Sequence, residues 1–234
     1  MAERRRLVVF GNGSMARVLA SFLDADGRLD DVAAFVIDAE FLTPGSTHFE
    51  GRPLVALEDL PGRFEPAAHD AIVAVGYAGM NALRADRHSA LKAMGYSMAS
   101  YVHSSVLLHR GVRIGEGAII YDHVALHAGA IVGDGAFIAS NASLGHDAVV
   151  GDFGWINSGA TLAGHARLGA RCFLGVGACV ADAVHLGDAT YVGANTLVNR
   201  DTTPGSVLVS AAGERFPMSS GAFLDYAKRG KAAP

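Results

Sequence analysis

Between Val102 and Val198 an aliphatic residue stands at every sixth position. The series runs Val102, Leu108, Ile114, Ile120, Leu126, Val132, Ile138, Leu144, Val150, Ile156, Leu162, Leu168, Leu174, Val180, Leu186, Val192 and Val198, without exception. Four residues after these stand small side chains, as at Ala118, Ala130, Ala136, Ala142, Ala148 and Gly154. Glycine often follows the aliphatic residue directly, as at Gly133, Gly145 and Gly151. A period of six fits neither the helical 3.6 nor a two-residue alternation carried through hairpins. It is the signature of hexapeptide β-helix coils.

Each hexad then supplies a short strand and a corner. The aliphatic side chain points inward, and the small one fills a narrow interior near the bend. Coils stack at the inter-strand spacing of about 4.8 Å, so each new coil buries the apolar edge of the last and pairs its backbone groups. The register never breaks, so no loop is inserted between hexads to hold a substrate. Any binding pocket must then be completed by another part of the chain, and the amino-terminal segment is the obvious supplier.

Half of the 234 residues are hydrophobic, enough for a substantial core in one or two domains. The net charge of −4 and pI near 6.2 argue against a nucleic-acid binder. Two cysteines, Cys172 and Cys179, make no disulfide framework and read as buried thiols. Arg4, Arg5 and Arg6 precede an apolar run of only four residues, Leu7 to Phe10, too short for a signal-peptide core or a membrane span. The chain is expected to be cytoplasmic, without membrane or nucleic-acid partners.

Leu7 to Phe10 reads as a buried strand, ending on Gly11-Asn12-Gly13-Ser14-Met15-Ala16 and a helix through Phe22. Glycines permit a tight turn and close backbone approach, and free amides at a helix start attract phosphate. Further strands are expected at Val32–Ile37, ending at Asp38, at Pro53–Val55, at Ala71–Val75 and near Ser97–Tyr101, with a helix through Ala82–Met94. This alternation is an α/β unit of Rossmann type. It is small for a complete dehydrogenase, so its pocket is read as one for a nucleotide sugar. Gly11, Asn12, Gly13 and Ser14 would cradle phosphate, and Asp38 would accept from a ribose hydroxyl. Gly76, Tyr77 and Arg84 are expected at the same pocket, Tyr77 either against the ligand or as a packed surface aromatic. The bland alternative is that Gly11 and Gly13 merely make a turn.

Seven of the ten histidines lie within the coils. His146 is set apart, because its neighbours eighteen residues away, Ala128 and Gly164, are both small and leave room for a substrate. Asp147 follows it directly, and a carboxylate there orients an imidazole that acts as a base. Asp147 also stacks over His165 one coil on, and that pair could simply tie coils together. Neither cysteine has a histidine in its hexad, so no covalent nucleophile is expected.

The eighteen-residue turn of three hexads resembles that of the left-handed β-helix acyltransferases. The runs Gly145 to Phe153 and Gly169 to Gly175, after a small domain with a Gly-rich turn, are similar to the bacterial sugar acyltransferases related to sialic acid O-acetyltransferase and to bacillosamine and perosamine N-acetyltransferases. The resemblance covers about residues 6 to 209. It implies an enzyme that moves an acyl group from acyl-CoA, acetyl or a short hydroxyacyl such as 3-hydroxybutyryl, to the amino group of a nucleotide-linked amino sugar in surface-glycan biosynthesis. His146 would be the general base, with Asp147 beside it, and the amide of Gly164 would meet the acyl carbonyl. It further implies CoA contacts at Gly164, Val176, Ala194 and Arg200, a homotrimer and no metal. One position departs: nine residues after His146 relatives carry a second histidine, and this chain has Trp155. Trp155 is read either as lining the donor or sugar pocket or as packing between subunits.

The expected organisation is therefore a Rossmann-like domain over residues 1–101, a left-handed parallel β-helix over 102–209 and a capping tail over 210–234. Transfer to a sugar hydroxyl is the alternative reaction. Two readings from other classes are a zinc enzyme of the β-helix carbonic-anhydrase type, drafting His109, His123 and His127, and a non-catalytic binding protein.

Overall fold

The computed structural model describes residues 5–229. The amino-terminal part opens with β1 (Arg6–Phe10), followed by α1 (Ser14–Ala25), β2 (Val32–Ile37), β3 (His48–Phe49) and β4 (Arg52–Ala56). It continues through a short α2 (Leu60–Arg63), β5 (His69–Val73), α3 (Ala82–Ala93) and β6 (Ser97–Met98). These strands form one sheet in the order β3-β4-β2-β1-β5-β6, parallel throughout apart from the antiparallel β3–β4 pair. β2 and the buried stretches of β1 (Leu7–Phe10) and β5 (Ala71–Val73) are apolar on both faces because helices and the coils cover both.

From Tyr101 onward the chain winds into a prism of two-residue strands, each ending on the aliphatic residue of its hexad. The first face stacks seven strands, Tyr101–Val102, Ile119–Ile120, Phe137–Ile138, Trp155–Ile156, Phe173–Leu174, Tyr191–Val192 and Val207–Leu208. A second face stacks six, from Leu107–Leu108 to Leu197–Val198, and a third stacks five, from Arg113–Ile114 to His185–Leu186. Pairing is parallel, eighteen residues apart, as in Leu126↔Leu144↔Leu162. Inward aliphatics from Ile120 to Val198 are fully buried with the small residues between them, each large one stabilising the fold by about 1.5–3 kcal/mol. The open end shows why the stack matters: Leu108, with no coil before it, is 52 % exposed.

The last turn is shorter. Thr202 bridges Leu186, and Val207 pairs Tyr191 across sixteen residues instead of eighteen. The expected cap does not form within one chain. Residues 210–228 are all exposed, and the tail's Phe216 and Phe223 pack on each other; residues 230–234 of that expected segment lie outside the described residues. The physical reason is the stretch Ser210-Ala211-Ala212-Gly213, which offers little apolar surface with which to turn back onto the coils.

The amino-terminal sheet docks on the first face. The outward residues of that face, Tyr101, Ile119, Phe137, Trp155 and Phe173, are buried together with Ala16, Leu19 and Leu23 of α1. Phe22 stacks on Tyr121 at 4.4 Å, and Tyr77 meets Phe173 at 4.6 Å. α3 lies along the edge between the third and first faces, where His88 sits over Gly117 and the Arg84 Nε donates to the Gly135 carbonyl at 2.6 Å.

Candidate active site

Two sites emerge, on opposite sides of the prism. The first is a cleft of about 360 Å³ at the carboxyl ends of β1, β2 and β5, lined by Gly11, Asn12, Gly13, Ser14, Asp38, Phe41 and Gly76 among others. Gly11 is required there: its φ is +128°, and a Cβ would lie 2.5 Å from the Ala74 carbonyl oxygen. The turn delivers the start of α1 to the cleft with no side-chain cap and no acidic residue in its first turn, so its free amides can receive an anion. Asp38 is gripped by Arg87, whose Nε and terminal nitrogen donate to one carboxylate oxygen at 3.0 and 2.9 Å. Among the described residues the other carboxylate oxygen makes no such bond.

Six of the eight residues expected to bind substrate thus line this cleft. Tyr77 and Trp155 do not. Trp155 is 3 % exposed, stacked on Phe137 at 4.1 Å, with its Nε1 donating to Asn157. It lies away from that cleft, covered by the same chain's own domain; Tyr77, half exposed, packs over it. Arg84 is also elsewhere. Only 1 % exposed, it ties α3 to the coils, and burial pulls its pKa down to about 10. A sequence signal for this docked face existed: the residue before the inward aliphatic is bulky in every third hexad, at Tyr101, Ile119, Phe137, Trp155, Phe173 and Tyr191.

The second site is the edge between the second and third faces. Each corner from Leu108 to Val192 carries a residue in the left-handed conformation three positions after its aliphatic, and at this corner it is Asp147, with φ +56°. Asp and Asn tolerate that conformation better than most residues. The corner turns Asp147 back against His146, so that the His146 Nδ1 lies 3.3 Å from Asp147 Oδ2. His165 approaches the same oxygen at 4.0 Å. A proton on Nδ1 shared with the carboxylate leaves Nε2 as the basic nitrogen.

The room expected beside His146 is filled by the ring itself. Gly164 is buried under it, and a Cβ on Gly164 would lie 2.5 Å from His146 Nε2 and 3.0 Å from Asp182 Oδ1. Among the described residues the Gly164 amide donates to no acceptor. Arg200 follows on the same edge, exposed, whereas Val176 and Ala194 lie exposed on the edge between the first and second faces. The four residues expected to meet CoA therefore flank the second face. Cys172 and Cys179 are free thiols, and burial pushes Cys172 up to about 11, which keeps it unreactive. His109 stacks on His127 at 5.0 Å, but the one triad within metal-holding distance among the described residues is His146, Asp147 and His165. No helix among them is long and apolar enough to cross a membrane.

A parallel β-helix carrying a Rossmann-type cleft on one face and a histidine–carboxylate pair on the opposite edge has the parts of a two-substrate group-transfer enzyme. Perosamine N-acetyltransferase from Caulobacter crescentus, solved with CoA and GDP-perosamine, is similar over 88 % of this chain and 93 % of its own, with 32 % identity and a TM-score of 0.78. The acetyltransferase domain of PglB from Neisseria gonorrhoeae, solved with acetyl coenzyme A, shares the fold at 24 % identity and TM-score 0.77, over 89 % and 97 % of the two chains. WeeI from Acinetobacter baumannii shares it at 19 % identity and 0.73, over 88 % and 96 %. No protein-family model and no curated protein matches the chain. The chain belongs to the left-handed β-helix sugar acyltransferases. The handedness of its coils is theirs, and it is a transferase of acyl groups.

Proposed function

We propose that the protein transfers an acyl group from acyl-CoA to the amino group of a nucleotide-linked amino sugar, as a step in surface-glycan assembly. The observation that carries this reading is His146, oriented through Nδ1 by Asp147 and turned with Nε2 over Gly164. The structures solved with CoA and GDP-perosamine support the two co-substrates. The diphosphate sits at the start of α1, with Gly11 to Ser14 around it and Asp38 facing the nucleoside. CoA runs along the second face between the edges of Val176 and Ala194 and of Gly164 and Arg200.

In the reaction the amine nitrogen attacks the thioester carbonyl carbon while His146 Nε2 takes its proton. The oxyanion receives the Gly164 amide, and collapse breaks the carbon–sulfur bond. The leaving thiolate takes the proton back from His146, so no acyl-enzyme forms. The cleft and His146 of one chain lie on opposite sides of the prism, so the amine is presented to His146 by the cleft of a neighbouring copy, in a trimer.

A thiol-release assay tests this, crossing acetyl-CoA and 3-hydroxybutyryl-CoA with UDP-, GDP- and dTDP-linked amino sugars. One donor–sugar pair is expected to release CoA in a sugar-dependent way, and His146→Ala to lower that rate by about 10²–10⁴-fold. Undiminished release in His146→Ala would remove His146 from the chemistry.

A further inference from the structure

We propose that His146, Asp147 and His165 form a reversible binding site for one divalent transition-metal ion of the Zn²⁺ class, and that the ion switches the transferase off. The site stands on geometry alone; the switching rests on the reading of His146 as the base. Both imidazoles present Nδ1 to the same atom, Asp147 Oδ2, at 3.3 and 4.0 Å, and the three ligand atoms lie within 4.8 Å of one another. Their rings stand edge to face, with centroids 4.7 Å apart.

Zinc binds imidazole nitrogen and carboxylate oxygen at about 2.0–2.2 Å, which asks the ligand atoms to close up by roughly an ångström. The side chains are free to do so: His146, Asp147 and His165 are 58 %, 55 % and 53 % exposed. Their backbones are fixed on neighbouring coils, the His165 amide donating to the His146 carbonyl at 2.9 Å and that of Asp147 to the Ala128 carbonyl at 2.9 Å. Among the described residues no Lys or Arg pairs with Asp147. Two neutral imidazoles and one carboxylate make a borderline donor set that prefers Zn²⁺, Co²⁺ or Ni²⁺ to Mg²⁺ or Ca²⁺, and the remaining position is open to water.

The consequence for the base is a matter of tautomers. An imidazole that gives its Nδ1 lone pair to a metal keeps its proton on Nε2. His146 then offers the substrate a donor in place of a lone pair and cannot take the amine's proton. The acyl-CoA and sugar sites need not be touched.

Calorimetric titration of untagged protein, stripped with EDTA and dialysed, is the test. Wild type is expected to bind one ZnCl₂ per chain and to give no heat with MgCl₂. His165→Ala, with an unchanged circular dichroism spectrum, is expected to bind zinc at least about tenfold more weakly. Product is followed by mass spectrometry of the acylated sugar nucleotide, because zinc also binds the released thiol. Zinc at its binding midpoint should halve wild-type turnover and EDTA restore it, while His165→Ala stays active and needs about tenfold more zinc for the same inhibition. No zinc binding, or equal binding in His165→Ala, overturns the site. Binding lost in His165→Ala but without inhibition of the wild type establishes the site and overturns instead the role of His146 as the base.

Discussion

At the residue scale the proposed reaction narrows to one ring, His146, and one glycine, Gly164. Adjacency in sequence was enough to pair His146 with Asp147, because a hexad corner leaves two successive side chains little choice but to share one edge. The position of the ring was not legible. Gly164 looked like open space, and only the coil stack shows that the imidazole occupies it, with Asp182 Oδ1 on the far side. Gly164→Ala is backbone-compatible, since its φ is not in the left-handed region, but its methyl group pushes the ring off. Activity should fall by about 10²-fold, the cost of misplacing a reacting group by an ångström. The melting temperature should move by less than about 4 °C. A rate within threefold of wild type would show that the ring's resting place is irrelevant to turnover.

At the scale of elements the coils were legible to the residue, and four of the α/β strands within one or two positions; the strand expected near Ser97–Tyr101 stops at Met98, and β3 was not foreseen. A six-residue period with inward aliphatics allows one solution, whereas strand ends in the α/β unit depend on which backbone groups find partners. What was not read was how the two units join. The bulky residue repeated every eighteen positions marks the docked face, and its meaning depends on a partner surface, α1 and the segment after β5, that is remote in sequence. α3 seals the neighbouring edge with a cost in acid. Burial against Gly117 and Phe153 pushes the His88 pKa below the usual histidine value, outweighing the opposing pull of Glu116, and its Nε2 has no partner. The unfolded chain therefore takes a proton at His88 near pH 6.5 while the folded one resists. Stability is full above that pH and declines as pH falls below it. Melting curves between pH 8 and pH 5 should drop less steeply for His88→Gln than for wild type, each 1 kcal/mol so retained being worth about 2–4 °C. Parallel curves would mean that His88 is accommodated in either charge state.

At the scale of the whole molecule the cleft and His146 face away from each other: the amino-terminal domain was the expected supplier of the acceptor pocket, and the chain's own copy of it sits on the far side of the prism. The arrangement predicts complementation. A Gly13→Leu chain has its cleft filled, with no atom near that Cβ to force a rearrangement, and a His146→Ala chain lacks the base. Each alone should be inactive. Refolded together in equal amounts, they should recover about a quarter of wild-type activity, the share of sites that draw a sound cleft and a sound base from different chains. Failure to recover any would place both halves of the reaction in a single chain. The unbroken repeat also sets what lengths this gene can take. Loss or gain of one residue within the coils turns inward aliphatics outward for every hexad on one side of the change. Loss of six restores that pattern but moves each later hexad onto the wrong face, carrying the bulky side chains away from α1. Only a change of eighteen codons keeps both, so the coil region can lengthen or shorten by inheritance in whole turns, and the docked face and the edge that carries His146 travel together as it does.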